Sequence, residues 1–349
     1  MSNTSSTGGN TGPSPARIMQ VGTGFWASKT LLASIKFGLF TFLAGTEKSA
    51  EEIRSNLGLH KRNLYDFLDA LVALGFLNRT GLLETAKYSN TQDTEIFLDK
   101  NKPSYIGGIL EMLNARLYKF WGDLEEGLTT GKPQNESKNT GKDTFELLYA
   151  DPAKLAQFLH AMSGIQMGAF KALATQFDFS KYKTMTDIGG SAALLSITVA
   201  KQHPNMHCTS FDLPPVEPHA KEMIEKNAAG SHVKTMNGDF FKDSFPKSDV
   251  ITMGNILHDW GTEDKLMLMK KAYDALPTGG ALIAIEGFID DDRRENAFGL
   301  LMSLNMLIET PDGYDMTFRD FNELAKQSGF KRFDKMTLAG PSSAAIAYK

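Results

Sequence analysis

The chain has 349 residues, of which 42% are hydrophobic and 22% are charged, and its formal net charge is −4 at pH 7. This length is typical of two domains, and the composition is that of a globular protein in water. The negative charge argues against a protein whose main task is to hold nucleic acid, because neutralising phosphates needs a basic surface. The single cysteine, Cys208, excludes a disulfide framework.

Residues 1–15 are rich in Ser, Thr, Gly and Asn and carry neither a basic segment nor an apolar one. This composition predicts a disordered tail and not a signal peptide. No apolar run reaches the roughly 20 residues that a membrane-spanning helix needs. We therefore predict a cytoplasmic protein with no membrane partner.

Residues 16–105 are predicted to form a helical domain. Residues 16–45 carry apolar side chains on more than one face, which predicts a largely buried helix that packs against a second chain. Ser49 and Glu52 form a capping-box pattern before a short helix. A second helix is predicted to begin near Lys61 and to end at Gly75, where glycine provides a left-handed cap.

A small hairpin is predicted next, with strands at residues 76–77 and 82–83. Two short helices and a hairpin are typical of a winged helix, which either binds DNA or serves as a dimerisation module. Lys61 and Arg62 of the second helix are accompanied by Asp66 and Asp69. Because carboxylates on that face do not suit a phosphate backbone, we favour dimerisation.

Residues 106–175 are predicted to be helical, with a polar surface loop from Thr129 to Lys142. The apolar positions of these helices include Met112, Leu113, Leu117, Phe120, Trp121, Phe145, Leu147, Leu148, Leu155 and Leu159.

From residue 183 onward, strands are predicted to alternate with helices, which is typical of a mostly parallel sheet covered on both faces. Helices are predicted at Leu194–Lys201 and Asp264–Ala275. The predicted strands are Thr184–Ile188, His207–Asp212, His232–Met236, Asp249–Met253 and Ala281–Glu286.

Acidic residues stand at the ends of the first three predicted strands. Asp187 is followed by Gly189 and Gly190, small residues that let a ligand approach the backbone. Asp212, before Leu213, ends the second strand, where an acid can accept both hydroxyls of a ribose. Asp239 follows the third strand, and its neighbour Phe240 offers a ring face to an adenine. Each acid alone could equally be a turn or a helix cap.

His258 follows the fourth predicted strand, in the sequence His258-Asp259-Trp260. It is the one histidine of seven at a strand's carboxyl end in such a motif. A neutral imidazole can remove a proton from a phenol or a hydroxyl near neutral pH. Two carboxylates could orient it, Glu286 at the end of the fifth strand and Asp315 in the turn at residues 311–317.

Together, residues 258–260, 211–214, 238–240 and 311–317 resemble the plant-type, catechol-like O-methyltransferases and their bacterial relatives. The resemblance extends from about residue 16 to the end of the chain. It implies a winged-helix dimerisation domain at residues 16–105 followed by a Rossmann-like catalytic domain at residues 106–349. It also implies S-adenosylmethionine (SAM) as cofactor, S-adenosylhomocysteine as product, and a homodimer.

The resemblance further implies the roles of individual residues. His258 would be the base, flanked by Glu286 and Asp315. Two departures stand out, Gly254 in place of a lysine and Asp315 in place of a glutamate. The residues implied around SAM are Asp187, Gly189, Gly190, Asp212, Leu213, Asp239, Phe240 and Trp260. The residues implied near the acceptor, at helices 106–175 and beyond, are Asn114, Phe158, Met162, Met306 and Thr310.

The segments at residues 25–29, 114–118 and 187–193 are similar to a narrower bacterial branch, which includes S-methyltransferases of 4-methylthio-2-hydroxybutyrate in dimethylsulfoniopropionate synthesis. A thioether sulfur carries no proton, so this reaction needs positioning and desolvation and not a base. The substrate carboxylate would need a cation, for which Arg116 is the candidate. A solvated helix arginine is the equally simple alternative.

The sequence therefore predicts a SAM-dependent methyltransferase, with S-methylation of that hydroxy acid as the specific hypothesis. One alternative is a His258-dependent O-methyltransferase of phenolic or hydroxylated metabolites. Another is a winged-helix regulator that senses a small molecule. No metal is predicted, because no set of His, Cys and carboxylate residues has ligand spacing.

Overall fold

The computed structural model describes residues 12–141 and 148–349. The chain divides into two compact units, Met1–Gly107 and Gly108–Lys349. Residues 1–11 of the predicted tail lie outside the described residues, as do Lys142, Phe145 and Leu147 of the predicted helical region.

The first unit contains short helices and a three-stranded antiparallel sheet. The strands are β1 (Lys48–Ser49), β2 (Leu77–Thr80) and β3 (Lys87–Asn90), in the order β1-β3-β2. The helices are Ala16–Gly22, Gly24–Lys36, Leu39–Leu43, Ala50–Leu57, Leu64–Ala73 and Gln92–Phe97.

Local signals place the two central helices of this unit as predicted. The Ser49 side chain accepts the N–H of Glu52, and the Glu52 carboxylate accepts the N–H of Ser49, so the capping box forms. The next helix begins at Leu64, three residues later than predicted, and buries Leu64, Leu68 and Leu71. Gly75 has the expected left-handed backbone, with φ +82°.

The predicted partner strand of the hairpin is wrong. Leu82 and Leu83 are exposed and lie in the connection, while β3, five residues further on, pairs with β2. The register brings Arg79 opposite Tyr88, whose ring is buried and whose hydroxyl donates to Asp69 Oδ1 at 2.8 Å. Burial of the large aromatic ring fixes the strand, because it removes far more apolar surface from water than two leucines in a turn can.

The first helix and the start of the second leave their apolar side chains exposed, while Leu32 and Ile35 further along the second helix are buried. Val21 is 75% exposed and Trp26 is 63% exposed. Ile18, Met19 and Phe25 are exposed as well. The predicted burial of residues 16–45 is therefore achieved in the single chain only from Leu32 onward, and five exposed apolar side chains remain between residues 18 and 26, which we call the apolar surface of residues 18–26.

The second unit contains a seven-stranded sheet in the order β6-β5-β4-β7-β8-β10-β9. Strands β4 to β8 are parallel, and β10 pairs antiparallel with β8 and β9. These strands are β4 (Thr184–Ile188), β5 (His207–Asp212), β6 (Val233–Asn237), β7 (Val250–Gly254), β8 (Ala281–Glu286), β9 (Arg332–Thr337) and β10 (Ser343–Tyr348). The predicted Rossmann-like fold is confirmed, although β9 and β10 were not predicted.

Helices cover both faces of this sheet. The main ones are Pro152–Gln176, Leu194–Gln202, Glu217–Lys226, Thr262–Ala275, Ala297–Glu309 and Phe318–Gln327, and shorter ones are Gly107–Met112, Tyr118–Phe120, Leu124–Thr130 and Ser137–Thr140. Two apolar cores form, one on each face, and β8 is buried along its whole length. Among the described residues, no helix has the length and apolarity needed to cross a membrane.

The topology decides where a ligand can bind. Because β4, β5, β7 and β8 run parallel, their carboxyl ends meet at one edge of the sheet. Strand order reverses between β4 and β7, and ligands of such folds bind in the crevice outside that point.

Candidate active site

The turn after β4 is shaped by small residues. Gly189 has φ +67°, and a β-carbon there would lie 2.3 Å from Ile256 Cδ1. A β-carbon on Gly190 would lie 2.3 Å from Ser210 Oγ, so neither position admits a side chain. The Ser191 N–H that follows donates to Asp212 Oδ2 at 2.8 Å. The turn is thereby tied to the end of β5 and presents backbone to the crevice.

Asp187 and Asp212 are two carboxylates held by neutral donors. Asp187 is buried and accepts the hydroxyl of Thr252, 2.6 Å away. Asp212 accepts the N–H of Leu213 at 2.7 Å in addition to that of Ser191. Burial raises the pKa of Asp187 to about 7 and that of Asp212 to about 6. The Asp212 carboxylate therefore lies at the end of β5 and is bound by two backbone N–H groups.

An aromatic corner lies beyond β6. The ring of Phe240 packs edge-on against that of Trp260, with centroids 5.8 Å apart, and Phe241 packs against the same indole at 4.6 Å. Asp239 accepts the N–H of Phe241 at 2.9 Å and pairs with Lys242 at 2.8 Å. The Lys242 hydrogen bond holds the pKa of Asp239 below its ordinary value. In this structure the Asp239 carboxylate closes its own turn, while the rings supply the flat surface.

His258 lies on the single 3₁₀ turn Leu257–Asp259 after β7, and only 10% of its side chain is exposed. Its Nδ1 is 3.4 Å from Asp315 Oδ1, and its Nε2 is 3.6 Å from Asp259 Oδ1. The His258 N–H donates to Glu286 Oε1 at 3.2 Å. The structure thus brings together the three residues proposed from the sequence as base and flanking carboxylates.

The turn at residues 311–317 approaches the histidine closely. A β-carbon on Gly313 would lie 2.6 Å from the His258 carbonyl oxygen and 2.7 Å from that of Asp259. A β-carbon on Gly261 would lie 2.1 Å from Asp312 Oδ2. The absence of a side chain at Gly313 lets the turn that carries Asp315 lie against the backbone of the His258 loop.

The charges around His258 favour its protonated form. Burial alone disfavours the imidazolium, but the carboxylates of Asp259, Asp315 and Glu286 outweigh burial and raise the pKa of His258 to about 10. Burial raises the pKa of Glu286 to about 7, against the opposite effect of His258 and Lys265. Glu286 Oε2 and Asp315 Oδ2 are buried and have no hydrogen-bond partner among the described residues. The cluster can therefore hold a proton and accept a further hydrogen bond.

Asn114 and Arg116 lie on one turn of π-helix, Leu113–Leu117, and Asn114 is buried. The Arg116 guanidinium donates two hydrogen bonds to Glu136, at 2.7 and 2.6 Å, and one to Glu309 at 3.2 Å. This fork-like pairing raises the pKa of Arg116 despite its burial. The predicted cation is therefore already matched by two carboxylates of the protein.

The other residues expected near the acceptor come from two helices. Phe158 and Met162 lie half-buried on Pro152–Gln176, and Phe158 packs with Leu155 and Leu159. Met306 is buried on Ala297–Glu309, and its carbonyl accepts the Thr310 hydroxyl at 2.9 Å.

The segment at residues 121–136 is bound to the end of the Ala297–Glu309 helix. The Trp121 indole N–H donates to Asn305 Oδ1 at 2.9 Å, the Gln134 N–H donates to the Ile308 carbonyl at 2.9 Å, and the Asn135 amide donates to the Glu309 carbonyl at 2.8 Å. Together with Arg116–Glu309, these bonds form one wall, which we call the 121–136 wall.

Two residues near the site were missed from the sequence. The Tyr149 ring is half-buried, and the nearby carboxylates of Asp212 and Asp259, after burial itself, raise the pKa of its phenol. Lys265 is fully buried beneath the histidine loop. In the sequence, Tyr149 and Lys265 look like ordinary helix or loop residues. Only the tertiary packing shows that they lie near the site.

A Rossmann-like sheet with acidic strand ends and a buried histidine at its carboxyl edge is the arrangement of a SAM-dependent methyltransferase. Residues 19–100 match the O-methyltransferase dimerisation domain, and residues 121–331 match the O-methyltransferase domain. The chain belongs to this O-methyltransferase family.

Several named proteins are similar to this chain over nearly its whole length. The chain is 35% identical over 335 residues to the tetracenomycin polyketide synthesis 8-O-methyl transferase TcmO of Streptomyces glaucescens, covering 96% of this chain and 97% of that one. It is 31% identical to the acetylserotonin O-methyltransferase of Gallus gallus, covering 91% and 92%. Human N-acetylserotonin methyltransferase in complex with SAM superposes with a TM-score of 0.89 at 26% identity, covering 98% and 99%.

These findings make the chain an enzyme whose cofactor is SAM, and the regulator alternative is dropped. The crevice fits that cofactor, because the Gly189–Gly190 turn presents backbone to it and because Ser191 Oγ and Ser210 Oγ are buried there with no partner among the described residues. Among residues 12–141 and 148–349, which the structure describes, no group of three or more His, Cys, Asp or Glu is placed to hold a metal ion.

Proposed function

We propose that this enzyme transfers the methyl group of SAM to a hydroxyl oxygen of a small aromatic metabolite, with His258 as the general base. The observation that carries this proposal is the buried imidazole at the carboxyl edge of the sheet, whose Nδ1 lies 3.4 Å from Asp315 Oδ1 and whose backbone N–H donates to Glu286. A base in that position is useful only for an acceptor that must lose a proton.

The residues divide the work as follows. Asp212 would hold the ribose hydroxyls, the rings of Phe240 and Trp260 would cover the adenine, and the turn at Gly189 would contact the amino-acid end. When bound, SAM supplies an electrophilic methyl carbon and leaves as S-adenosylhomocysteine. His258 takes the hydroxyl proton as the oxygen–carbon bond forms and the carbon–sulfur bond breaks. Asp315 orients the imidazole and stabilises the imidazolium that results.

The acceptor would lie between the histidine and the residues assigned to it from the sequence. Apolar side chains exclude water and leave positioning as the main contribution to rate. Those side chains are Phe158, Met162 and Met306, with Asn114 and Thr310 as the polar contacts.

The narrower hypothesis, S-methylation of 4-methylthio-2-hydroxybutyrate, receives less support. A thioether gives His258 nothing to deprotonate, and Arg116, the cation expected for the substrate carboxylate, is matched by Glu136 and Glu309. The relatives named above are described as O-methyltransferases or as SAM-binding methyltransferases of acetylserotonin. A further relative at 29% identity is a 3-hydroxy-5-methyl-1-naphthoate 3-O-methyltransferase, whose acceptor is an aromatic hydroxyl.

An acceptor screen tests this proposal. The purified enzyme is incubated with SAM and three panels, namely phenols and naphthols, aliphatic hydroxy acids, and thioethers, and S-adenosylhomocysteine release is measured. We expect turnover in the first panel that disappears when the acceptor hydroxyl is replaced by hydrogen. Turnover confined to the thioethers would reject the proposal in favour of S-methylation.

We also propose that the enzyme is a homodimer that uses the apolar surface of residues 18–26. The support is the exposure of Val21 and Trp26 in a region that matches a dimerisation domain. The double change Val21→Glu with Trp26→Glu should yield monomers or aggregates in light scattering. Leu128→Glu, which alters an equally exposed leucine elsewhere, should leave the mass unchanged. A monomeric wild-type enzyme would refute this assignment.

A further inference from the structure

Lys265 is a charged side chain with no exposed surface, on the helix Thr262–Ala275. Its ammonium donates to the carbonyl of Trp260 at 2.5 Å and to the carbonyl of Tyr314 at 2.9 Å. The same nitrogen lies 3.3 Å from the centre of the Tyr314 ring. Burying a lysine is unfavourable unless its donors are satisfied, so this position is held by specific contacts.

The two carbonyls belong to the two segments that carry the catalytic pair. Trp260 is two residues after His258, and Tyr314 is the residue before Asp315. The ammonium therefore bridges the loop of the proposed base to the loop of the carboxylate that orients it. The same segments also meet where Gly313 approaches the carbonyls of His258 and Asp259, and where the hydroxyls of Thr262 and Tyr314 lie 2.8 Å apart.

Several carboxylates face the same ammonium. They are, from the largest influence to the smallest, those of Glu286, Asp315, Asp259 and Asp312, and all favour its charged form. Burial opposes them and lowers the pKa of Lys265 to about 8. A neutral amine still carries two N–H groups, so both hydrogen bonds to the carbonyls persist on either side of that titration.

We propose that Lys265 is a positioning residue of the methyl transfer, which fastens the loop of His258 to the loop of Asp315 and so keeps the imidazole in hydrogen-bond reach of its carboxylate. This inference rests on the proposed role of His258 as base. A lysine that merely fills space would leave the His258–Asp315 pair unchanged when replaced by an apolar side chain of similar length.

The proposal fixes the sign of an electrostatic effect. If the loops separate, His258 loses the hydrogen bond and part of the charge of Asp315, so its pKa falls towards the ordinary histidine value. If Lys265 acted only through its own positive charge, removing it would raise the pKa of His258. The groups that face His258 in either case are Asp259, Asp315 and Glu286.

The test uses Lys265→Met, which removes the donors, and Lys265→Gln, which keeps an N–H donor without the charge. The control is Lys270→Met, on the same helix but exposed and paired with Asp274. For each full-length protein, thermal unfolding, SAM affinity, kcat and KM are measured, and the His258 imidazole is titrated by NMR between pH 6 and 11. The His258→Gln variant identifies its resonance.

We expect Lys265→Met to lower kcat about 10- to 100-fold, the scale of a small misplacement at the reacting groups. SAM affinity and the acceptor KM should stay within about threefold, and the pKa of His258 should fall by about one unit. Lys265→Gln should show the same direction with smaller size, and it decides the matter if Lys265→Met does not fold. Lys270→Met should resemble the wild type.

A folded Lys265 variant whose His258 pKa is unchanged or raised would overturn the proposal. This outcome is distinct from failure of the proposed function. If His258→Gln keeps full activity while the Lys265 variants still lower the His258 pKa, the base assignment is wrong. The contribution of Lys265 to catalysis then falls with it, and only its fastening of the two loops stands.

Discussion

Buried carboxylates lie at both ends of the crevice, but the groups that surround them differ. At the cofactor end, Asp187 and Asp212 are held by a hydroxyl and by backbone N–H groups. At the base end, Glu286 and Asp315 face a histidine and a buried lysine. Burial raises the pKa of Asp187, Asp212 and Glu286 alike, to about 7, 6 and 7.

The pKa values alone therefore do not separate binding from catalysis at this sheet edge. The groups that bind Asp187 and Asp212 are a hydroxyl and backbone N–H groups, none of which exchanges a proton near neutral pH. A neighbouring imidazole can exchange a proton, so the second pair supports acid–base chemistry. Changes made at one end should leave the other end's measurement unchanged.

The largest expected effect is at the base. His258→Gln should lower kcat by about 10²- to 10⁴-fold for a hydroxyl acceptor, the usual contribution of a general base. SAM affinity should be unchanged, because the cofactor end is intact. S-adenosylhomocysteine release and calorimetry measure the two quantities. His207→Gln, an exposed histidine on β5, is the control, and a loss below tenfold in His258→Gln would argue against a base.

The next effect concerns the close approach of the two loops. Gly313→Ala places a β-carbon 2.6 Å from the His258 carbonyl oxygen, so the loops must separate. We expect a loss of about 100-fold in kcat, since a displacement of about 1 Å at reacting groups has that size. Gly230→Ala, whose β-carbon would meet nothing closer than 4.0 Å, serves as the control. Equal rates in both variants would show that the approach is irrelevant to catalysis.

At the cofactor end, Asp212→Ala should weaken SAM binding by about 1–3 kcal/mol, the usual effect of losing hydrogen bonds to a charged group. Calorimetry on the folded variant measures it. Asp274→Ala, an exposed carboxylate on the Thr262–Ala275 helix, should bind SAM normally. Unchanged affinity in Asp212→Ala would remove this residue from the cofactor site, whatever the result at His258.

The last prediction concerns the pH dependence of the rate. A base must be neutral to accept a proton, and the carboxylates around His258 raise its pKa above the ordinary value of about 6.5. The rate should therefore fall about tenfold per pH unit on the acid side, with the limb lying above pH 6.5. A profile of kcat/KM for the acceptor measures this limb. A flat profile between pH 6 and 9 would contradict the predicted base.

The sequence was sufficient for the parallel strands and for the residues at their ends. β4, β5 and β8 have the predicted bounds. β8 is an almost continuous apolar run, as expected of a buried parallel strand, whereas β4 and β5 are mixed in sequence and are delimited by the turn residues Gly189 and Pro214 that follow them. β9 was missed because its exposed residues, including Arg332 and Lys335, interrupt any apolar pattern. β10 was missed because it is rich in alanine, which favours strands weakly.

The positions of Asp212 and His258 at the carboxyl ends of strands were predictable, because the strand pattern alone places them there, and their roles stay predictions. Lys265 was not predictable, because its neighbours Glu263, Asp264 and Lys270 make it look like one more charge on a solvated helix face. Its burial depends on carbonyls of Trp260 and Tyr314, and the second is 49 residues away. Arg116 was assigned to a substrate for the same reason, since Glu309 lies 193 residues further along the chain.

The 121–136 wall also has a consequence for the order of folding. Its bonds from Trp121 to Asn305 and from Asn135 to Glu309 close loops of 184 and 174 residues. All five parallel strands, β4 to β8, lie between those ends. During synthesis, the strands β4 to β8 are therefore complete before the helix Ala297–Glu309, the partner of the 121–136 wall, has been made. In a chain made from its amino terminus, all the residues proposed to hold SAM are therefore synthesised before Met306 and Thr310, the last of those proposed to contact the acceptor.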